Sequence, residues 1–222
     1  MKETAIAVDI FHDTACPWCF IGIKNLFDAL QQWQERPVKL QWHPFFLDNT
    51  IPREGVAFRT FLASRKGLGR EELNWLFDYA QQRGKAVGVK INFDTIALAV
   101  NTELSHRLIA LTPDDKKSAV VEAVYKAYFE NGSNIGDIDV LVSIGEAAGM
   151  NCCELRKALS SDAALMQVSS EATLTRQKGI TSVPFFIVNN LISIDGSHSV
   201  KVFIQAFNRA SFLSLLKPPY WF

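Results

Sequence analysis

Ile6-Ala7-Val8-Asp9-Ile10-Phe11-His12-Asp13-Thr14-Ala15-Cys16-Pro17-Trp18-Cys19 sets an apolar run directly before two cysteines two residues apart. A helical pattern follows at once: Trp18, Ile21, Ile23, Leu26, Phe27 and Leu30 share one apolar face through about Trp33. Pro17 suits a first helical turn, where its missing N–H would be unpaired anyway. The cysteines therefore stand where a strand becomes a helix, at the positive end of the helix dipole. That position favours thiolate at the first cysteine, and thiolate is the nucleophile of disulfide exchange.

Working outward, residues 4–12 read as a buried strand and Val38-Lys39-Leu40-Gln41-Trp42 as a second, alternating one. Together with the helix they form a β-α-β unit, long enough for a right-handed parallel crossover. A long middle section follows, with helical periodicity near 56–66, 70–86, 95–111, 115–130, 138–148 and 151–159. Residues 162–177 continue as a helix closed by Lys178-Gly179. Val183-Pro184-Phe185-Phe186-Ile187-Val188 reads as a strand entered through a proline. Asn189-Asn190 turns it into a partner strand at 191–194, and Ser199 to Phe207 is a final amphipathic helix. Lys217-Pro218-Pro219-Tyr220-Trp221-Phe222 forms an aromatic tail. These parts predict an α/β, thioredoxin-like fold with a large all-helical insertion. The expected division is 1–47 with 162–222 as a discontinuous thioredoxin-like domain, and 48–161 as a helical insertion domain.

Composition narrows the function. The chain has 222 residues, 48% of them apolar, with Lys+Arg and Asp+Glu equal at 23 each. Zero net charge argues against nucleic acid and anionic membranes as partners. No stretch approaches the roughly 20 apolar residues of a membrane span. Met1-Lys2-Glu3-Thr4-Ala5 lacks the basic start, apolar stretch and cleavage site of a signal peptide, so a cytoplasmic setting is expected. Four cysteines are too few for a disulfide scaffold, and in a reducing compartment a Cys-x-x-Cys pair is catalytic or metal-binding.

Those two readings differ in what they require. Redox chemistry needs Cys16 to attack and Cys19 to resolve, with sulfurs in bonding reach across one helical turn. A zinc site needs a second ligand pair. Cys152-Cys153 is adjacent rather than spaced and the four histidines are scattered, so no metal is expected. Val183-Pro184 supports redox: a proline at a strand entrance is a candidate for the cis isomer, leaving the Val183 backbone free to pair with an extended substrate. Pro17, Trp18, Val183 and Pro184 are thus the expected substrate-binding residues beside catalytic Cys16 and Cys19. His12 and Asp13 could tune the thiolate or be solvated loop residues. Asp9, if it points inward beneath the pair, could help deprotonate Cys19. His43 reads as structural, His106 and His198 as packing or surface residues, and Cys152-Cys153 as inert. Phe45, Phe46, Phe58, Phe61, Trp75, Phe77 and Tyr79 read mostly as core, with some available to line a groove beside the pair.

Asp13-Thr14-Ala15-Cys16-Pro17-Trp18-Cys19-Phe20-Ile21-Gly22, Trp42-His43-Pro44-Phe45-Phe46-Leu47, Ser105-His106-Arg107-Leu108 and Gly179-Ile180-Thr181-Ser182-Val183-Pro184-Phe185-Phe186 together resemble the DsbA family, specifically its cytoplasmic FrnE-like branch. A basic residue is more usual where His43 stands, and Gly196-Ser197-His198 departs from that branch's Gly-Ala-Gln. The resemblance implies thiol–disulfide oxidoreductase or isomerase activity on disulfide-bearing proteins or small thiols, with no bound cofactor. The same fold hosts kappa-class glutathione transferases and hydroxychromene-carboxylate isomerases, which implies glutathione as a possible co-substrate. Those relatives usually carry serine where Cys16 stands. Nothing in the sequence indicates an oligomeric state.

Overall fold

The computed structural model describes residues 5–215. β1 (Ile6–His12) runs into α1 (Pro17–Gln32), and β2 (Val38–Pro44) returns parallel to β1 with Ile10 opposite Trp42. At the other end of the chain, β5 (Phe185–Val188) lies antiparallel to β1 with Val8 opposite Val188, and β6 (Ile192–Asp195) closes the hairpin. The sheet order is β2-β1-β5-β6. This is the expected α/β, thioredoxin-like sheet.

Strand alternation sorts the two faces. Ile6, Val8, Ile10, Phe186 and Val188 are fully buried on one face. They pack under α1 and α9 (Val200–Leu215), where Phe203 meets Phe186 edge-on at 4.9 Å and Phe207 meets Trp33 at 5.4 Å. Phe11, Phe45 and Ile180 form a smaller cluster with Phe185 and Ile187. α8 (Leu165–Gln177) packs against β2.

Between β2 and α8 the chain forms α2 (Phe58–Lys66), α3 (Arg70–Ala86), α4 (Glu103–Leu111), α5 (Asp114–Phe129), α6 (Ile138–Ala147) and α7 (Cys152–Ser160). The helix expected over 95–111 starts only at Glu103. Leu98–Ala99 (β4) instead pairs antiparallel with Val56–Ala57 (β3), and the Asn101 side chain accepts the Glu103 N–H at 2.9 Å while donating to the Ile51 carbonyl at 2.8 Å. An Asn side chain that satisfies a free backbone N–H is a helix-start signal. α9 runs eight residues beyond the expected 207. The aromatic tail at 217–222 lies outside the described residues.

Gly22 sets how closely α1 approaches the β5 entrance. A Cβ there would stand 3.0 Å from Pro184 Cγ and 3.4 Å from Ser197 Cα.

Candidate active site

Cys16 is the N-cap of α1, with Pro17 at the first helical position. Its N–H donates to the Asp13 carbonyl at 3.0 Å, and its own carbonyl accepts Cys19 N–H at 3.1 Å. One helical turn therefore brings the two side chains into interaction. Both are free thiols; Cys16 is 3% exposed and Cys19 fully buried. Burial, then the neighbouring Cys16, pushes the Cys19 thiol well above its ordinary range.

The Val183–Pro184 bond is cis. The Val183 carbonyl faces Cys16 Sγ at 3.8 Å, close enough to accept the thiol's hydrogen. The β5–β6 hairpin fixes this loop, through Gly196 N–H to the Pro184 carbonyl at 2.8 Å and the Ser182 hydroxyl to Asp195 at 3.1 Å. Cys16, Cys19, Val183 and Pro184 thus meet although 167 residues separate Cys16 from Val183. Trp18 leans on Tyr79 of α3 at 5.7 Å between ring centroids, and Tyr79 stacks on Trp75 at 5.6 Å with planes 1° apart. Trp75 and Tyr79 are exposed, so they are surface rather than core.

The carboxyl near the pair is Asp13, not Asp9. Asp9 lies on the β1 face opposite Val8 and Ile10 and binds His43 Nε2 at 2.8 Å. Asp13 is buried, not a solvated loop residue. Its carboxylate accepts the N–H groups of Ala15 at 3.0 Å and Leu47 at 2.7 Å and a hydrogen bond from Thr102. Burial raises its pKa to about 6 against those bonds. His106 Nε2 lies 4.0 Å from Asp13, but burial pushes His106 down to about 3. The imidazole is therefore neutral at physiological pH and the contact is not an ion pair.

His12 is also fully buried, and burial holds it neutral. Its Nδ1 lies 2.9 Å from the Tyr125 hydroxyl, which donates to the Asp13 carbonyl at 3.0 Å and interacts with the Cys19 side chain. Tyr125, Thr102 and the Thr14–Ser105 hydroxyl pair at 2.7 Å are site residues that spacing did not reveal. The one signal was a tyrosine on the apolar face of α5, whose hydroxyl must find a partner when buried. His198 caps its own hairpin by bonding the Asp195 carbonyl at 2.7 Å. Cys152 and Cys153 start α7 with sulfurs 3.9 Å apart, both as thiols.

A cavity of about 90 Å³ beside the pair is lined by Ala15, Asp13, Leu47, Phe61 and Leu62 among others. The larger cavity of about 1210 Å³ lies between α2 and α3 and touches none of these residues. Among the described residues no cluster of three or more His, Cys, Asp or Glu could hold a metal, and no helix is long and apolar enough to cross a membrane.

Residues 7–208 match the DSBA-like thioredoxin domain. The uncharacterized protein YwbO of Bacillus subtilis (strain 168) is 25% identical over 91% of this chain and 96% of its own length. The crystal structure of the probable DsbA oxidoreductase SCO1869 from Streptomyces coelicolor superposes with a TM-score of 0.88 at 25% identity, covering 98% of this chain and 93% of that one. The cytosolic disulfide reductase DsbM from Pseudomonas aeruginosa, solved with GSH, superposes at 0.63 with 15% identity, covering 94% and 98%; that likeness is one of fold.

Proposed function

We propose that this chain, which belongs to the DSBA-like thioredoxin domain family, is a thiol–disulfide oxidoreductase or isomerase in which Cys16 attacks and Cys19 resolves. The observation that carries the reading is the meeting of Cys16 Sγ with the Val183 carbonyl at the cis Val183–Pro184 bond, with Cys19 one helical turn behind. Cys16 is the thiol at the helix start, facing the Val183 carbonyl. Cys19 is buried and held protonated, so it waits until a mixed disulfide has formed on Cys16. Pro17 fixes the helix start, and Trp18, Val183 and Pro184 meet the substrate chain, the Val183 backbone pairing with it as an added strand.

Disulfide-bearing polypeptides and small thiols, glutathione among them, are the substrate classes this arrangement takes. The stretch Asp13 to Gly22 supports placement in the FrnE-like branch, and the fold likeness to a cytosolic disulfide reductase supports a cytoplasmic setting. There the pair rests as dithiol, which favours reduction and isomerisation over net oxidation.

The test is mixed-disulfide trapping in cells with Cys19→Ala. Polypeptides held through Cys16 and released by reductant are the expected result. Recovery of glutathione alone, with Cys19→Ser keeping full activity, would replace dithiol chemistry by glutathione activation. Stoichiometric zinc in the reduced protein would sink both.

A further inference from the structure

Resolution requires the Cys19 thiol to lose a proton while it attacks, yet Cys19 has no exposed surface. Next to it stands the Tyr125 hydroxyl, which interacts with the Cys19 side chain and lies 2.9 Å from His12 Nδ1. All three side chains are fully buried. On the far side of the imidazole, His12 Nε2 has no hydrogen-bond partner among the described residues. Leaving such a buried polar atom unsatisfied costs its full desolvation, which makes it a feature that needs a reason. His12 also lines a cavity of about 310 Å³, and that cavity includes neither cysteine nor Pro184. Its floor is His12 and His106 and its rim is the exposed Lys39, Gln41, Asp114 and Gln167, so water reaches it from outside.

We propose that Tyr125 and His12 are a proton relay connecting the buried Cys19 thiol to this second, water-filled cavity behind β2. The assignment rests on the dithiol reading above. In the resolving step Cys19 Sγ attacks Cys16 Sγ of the mixed disulfide. The Cys16–Cys19 bond forms, the bond to the substrate sulfur breaks, and that sulfur leaves as a thiolate. As the Cys19 proton moves to the Tyr125 oxygen, the Tyr125 hydrogen moves to His12 Nδ1 and the Nε2 hydrogen passes to cavity water. The tyrosine and imidazole end neutral, the imidazole having changed tautomer, and the leaving thiolate takes a proton from bulk solvent. No oxidant beyond the substrate disulfide is required. The single Tyr125 hydrogen lies within reach of both the Asp13 carbonyl and His12, so a rotation about one C–O bond turns it towards Nδ1 of the Nε2–H tautomer. The chain resets when the Cys16–Cys19 disulfide is reduced and a proton travels back from cavity water through His12 and Tyr125 to Cys19.

The test uses reduced protein and dithiobis(nitrobenzoate) in stopped flow. The first thionitrobenzoate released reports attack by Cys16, and the second reports resolution by Cys19. Tyr125→Phe should lower the ratio of second-phase to first-phase rate by at least about a hundredfold, the lower end of what a positioned proton carrier contributes. His12→Ala should do the same and be restored by imidazole, which fits the cavity, but not by 1-methylimidazole, which fills the space without an N–H to pass on. An unchanged phase ratio in both variants overturns the relay, as does equal rescue by the two imidazoles, which would mark a packing role. A wild-type protein that releases one equivalent only, or a second phase that survives Cys19→Ala, overturns the dithiol reading itself.

Discussion

At the scale of single residues, Asp13 carries the clearest pH signature. Burial lifts its carboxyl from the ordinary 3.8 to about 6. The folded state therefore favours the protonated acid, so this contribution is full below about pH 4 and is lost as the pH rises through 6. The difference is worth about 3 kcal/mol. His106 acts in the opposite sense: pushed from 6.5 down to about 3, it contributes stability above pH 6.5 that is lost as the pH falls through 3. Comparing wild type with Asp13→Asn at each pH cancels the histidine. Denaturant titrations from pH 4 to 7 should show the wild type losing about 3 kcal/mol relative to the variant as the pH rises. A parallel pair of curves would show that Asp13 ionises alike in the folded and unfolded states, with no raised pKa. Cys16, Cys19 and Pro184 were legible in the sequence because spacing and chain chemistry announce them. The environment of Asp13 was not, because its partners Leu47 and Thr102 and the nearby Tyr125 come from three separate elements.

Two predictions belong to elements. Gly22 sits inside α1, where alanine would ordinarily gain up to about 1 kcal/mol of helix propensity. Here the added methyl meets the Pro184 ring and the Ser197 backbone, so Gly22→Ala should instead destabilise by roughly 1–2 kcal/mol and slow insulin-disulfide reduction as α1 backs away from Pro184. A more stable variant with full activity would show that the gap closes freely. Arg107 of α4 is fully buried, and its guanidinium donates to the carbonyls of Ala158 at 3.1 Å, Ala163 at 2.8 Å and Ser161 at the end of α7. Arg107→Met leaves the Ser161 and Ala163 carbonyls without their donor, while Ala158 keeps Ser161, and should lower stability by about 3 kcal/mol in urea unfolding, with Arg107→Lys recovering only part. The sheet elements were readable because β1 and β5 are short apolar runs bounded by turn signals. The over-long helix at 95–111 was not readable as such. Its apolar spacing fits a helix locally, and only pairing with Val56–Ala57, some forty residues earlier, takes 98–99 away from it.

For the whole molecule, one hydrophobic cluster runs through β1, β5, α1 and α9 and on into the helices between β2 and α8. Phe20 of α1 stacks on Tyr125 at 5.2 Å and on Phe129 at 6.0 Å, so a residue next to the motif is packed into α5. Tryptophan fluorescence and far-ultraviolet circular dichroism should therefore report the same unfolding midpoint. Phe20→Ala, which opens a cavity at that seam, should remove roughly 3–5 kcal/mol and separate the two midpoints. Coincident midpoints in the variant would mean that the shared core does not depend on this stack.

The sheet's connectivity has a consequence for how the protein is made. β1 leaves the ribosome well before its neighbour β5, since 167 residues separate Cys16 from Val183. At ordinary elongation rates the interval is on the order of 10–30 s. Until residue 188 has emerged, Cys16 has no Val183 carbonyl beside it and β1 has one bare edge. The nascent chain thus spends its synthesis with Cys16 and Cys19 in an unfinished site. It depends on the reducing power of its surroundings, or on an early shield from α1 and the helices that follow, to reach completion with those sulfurs intact.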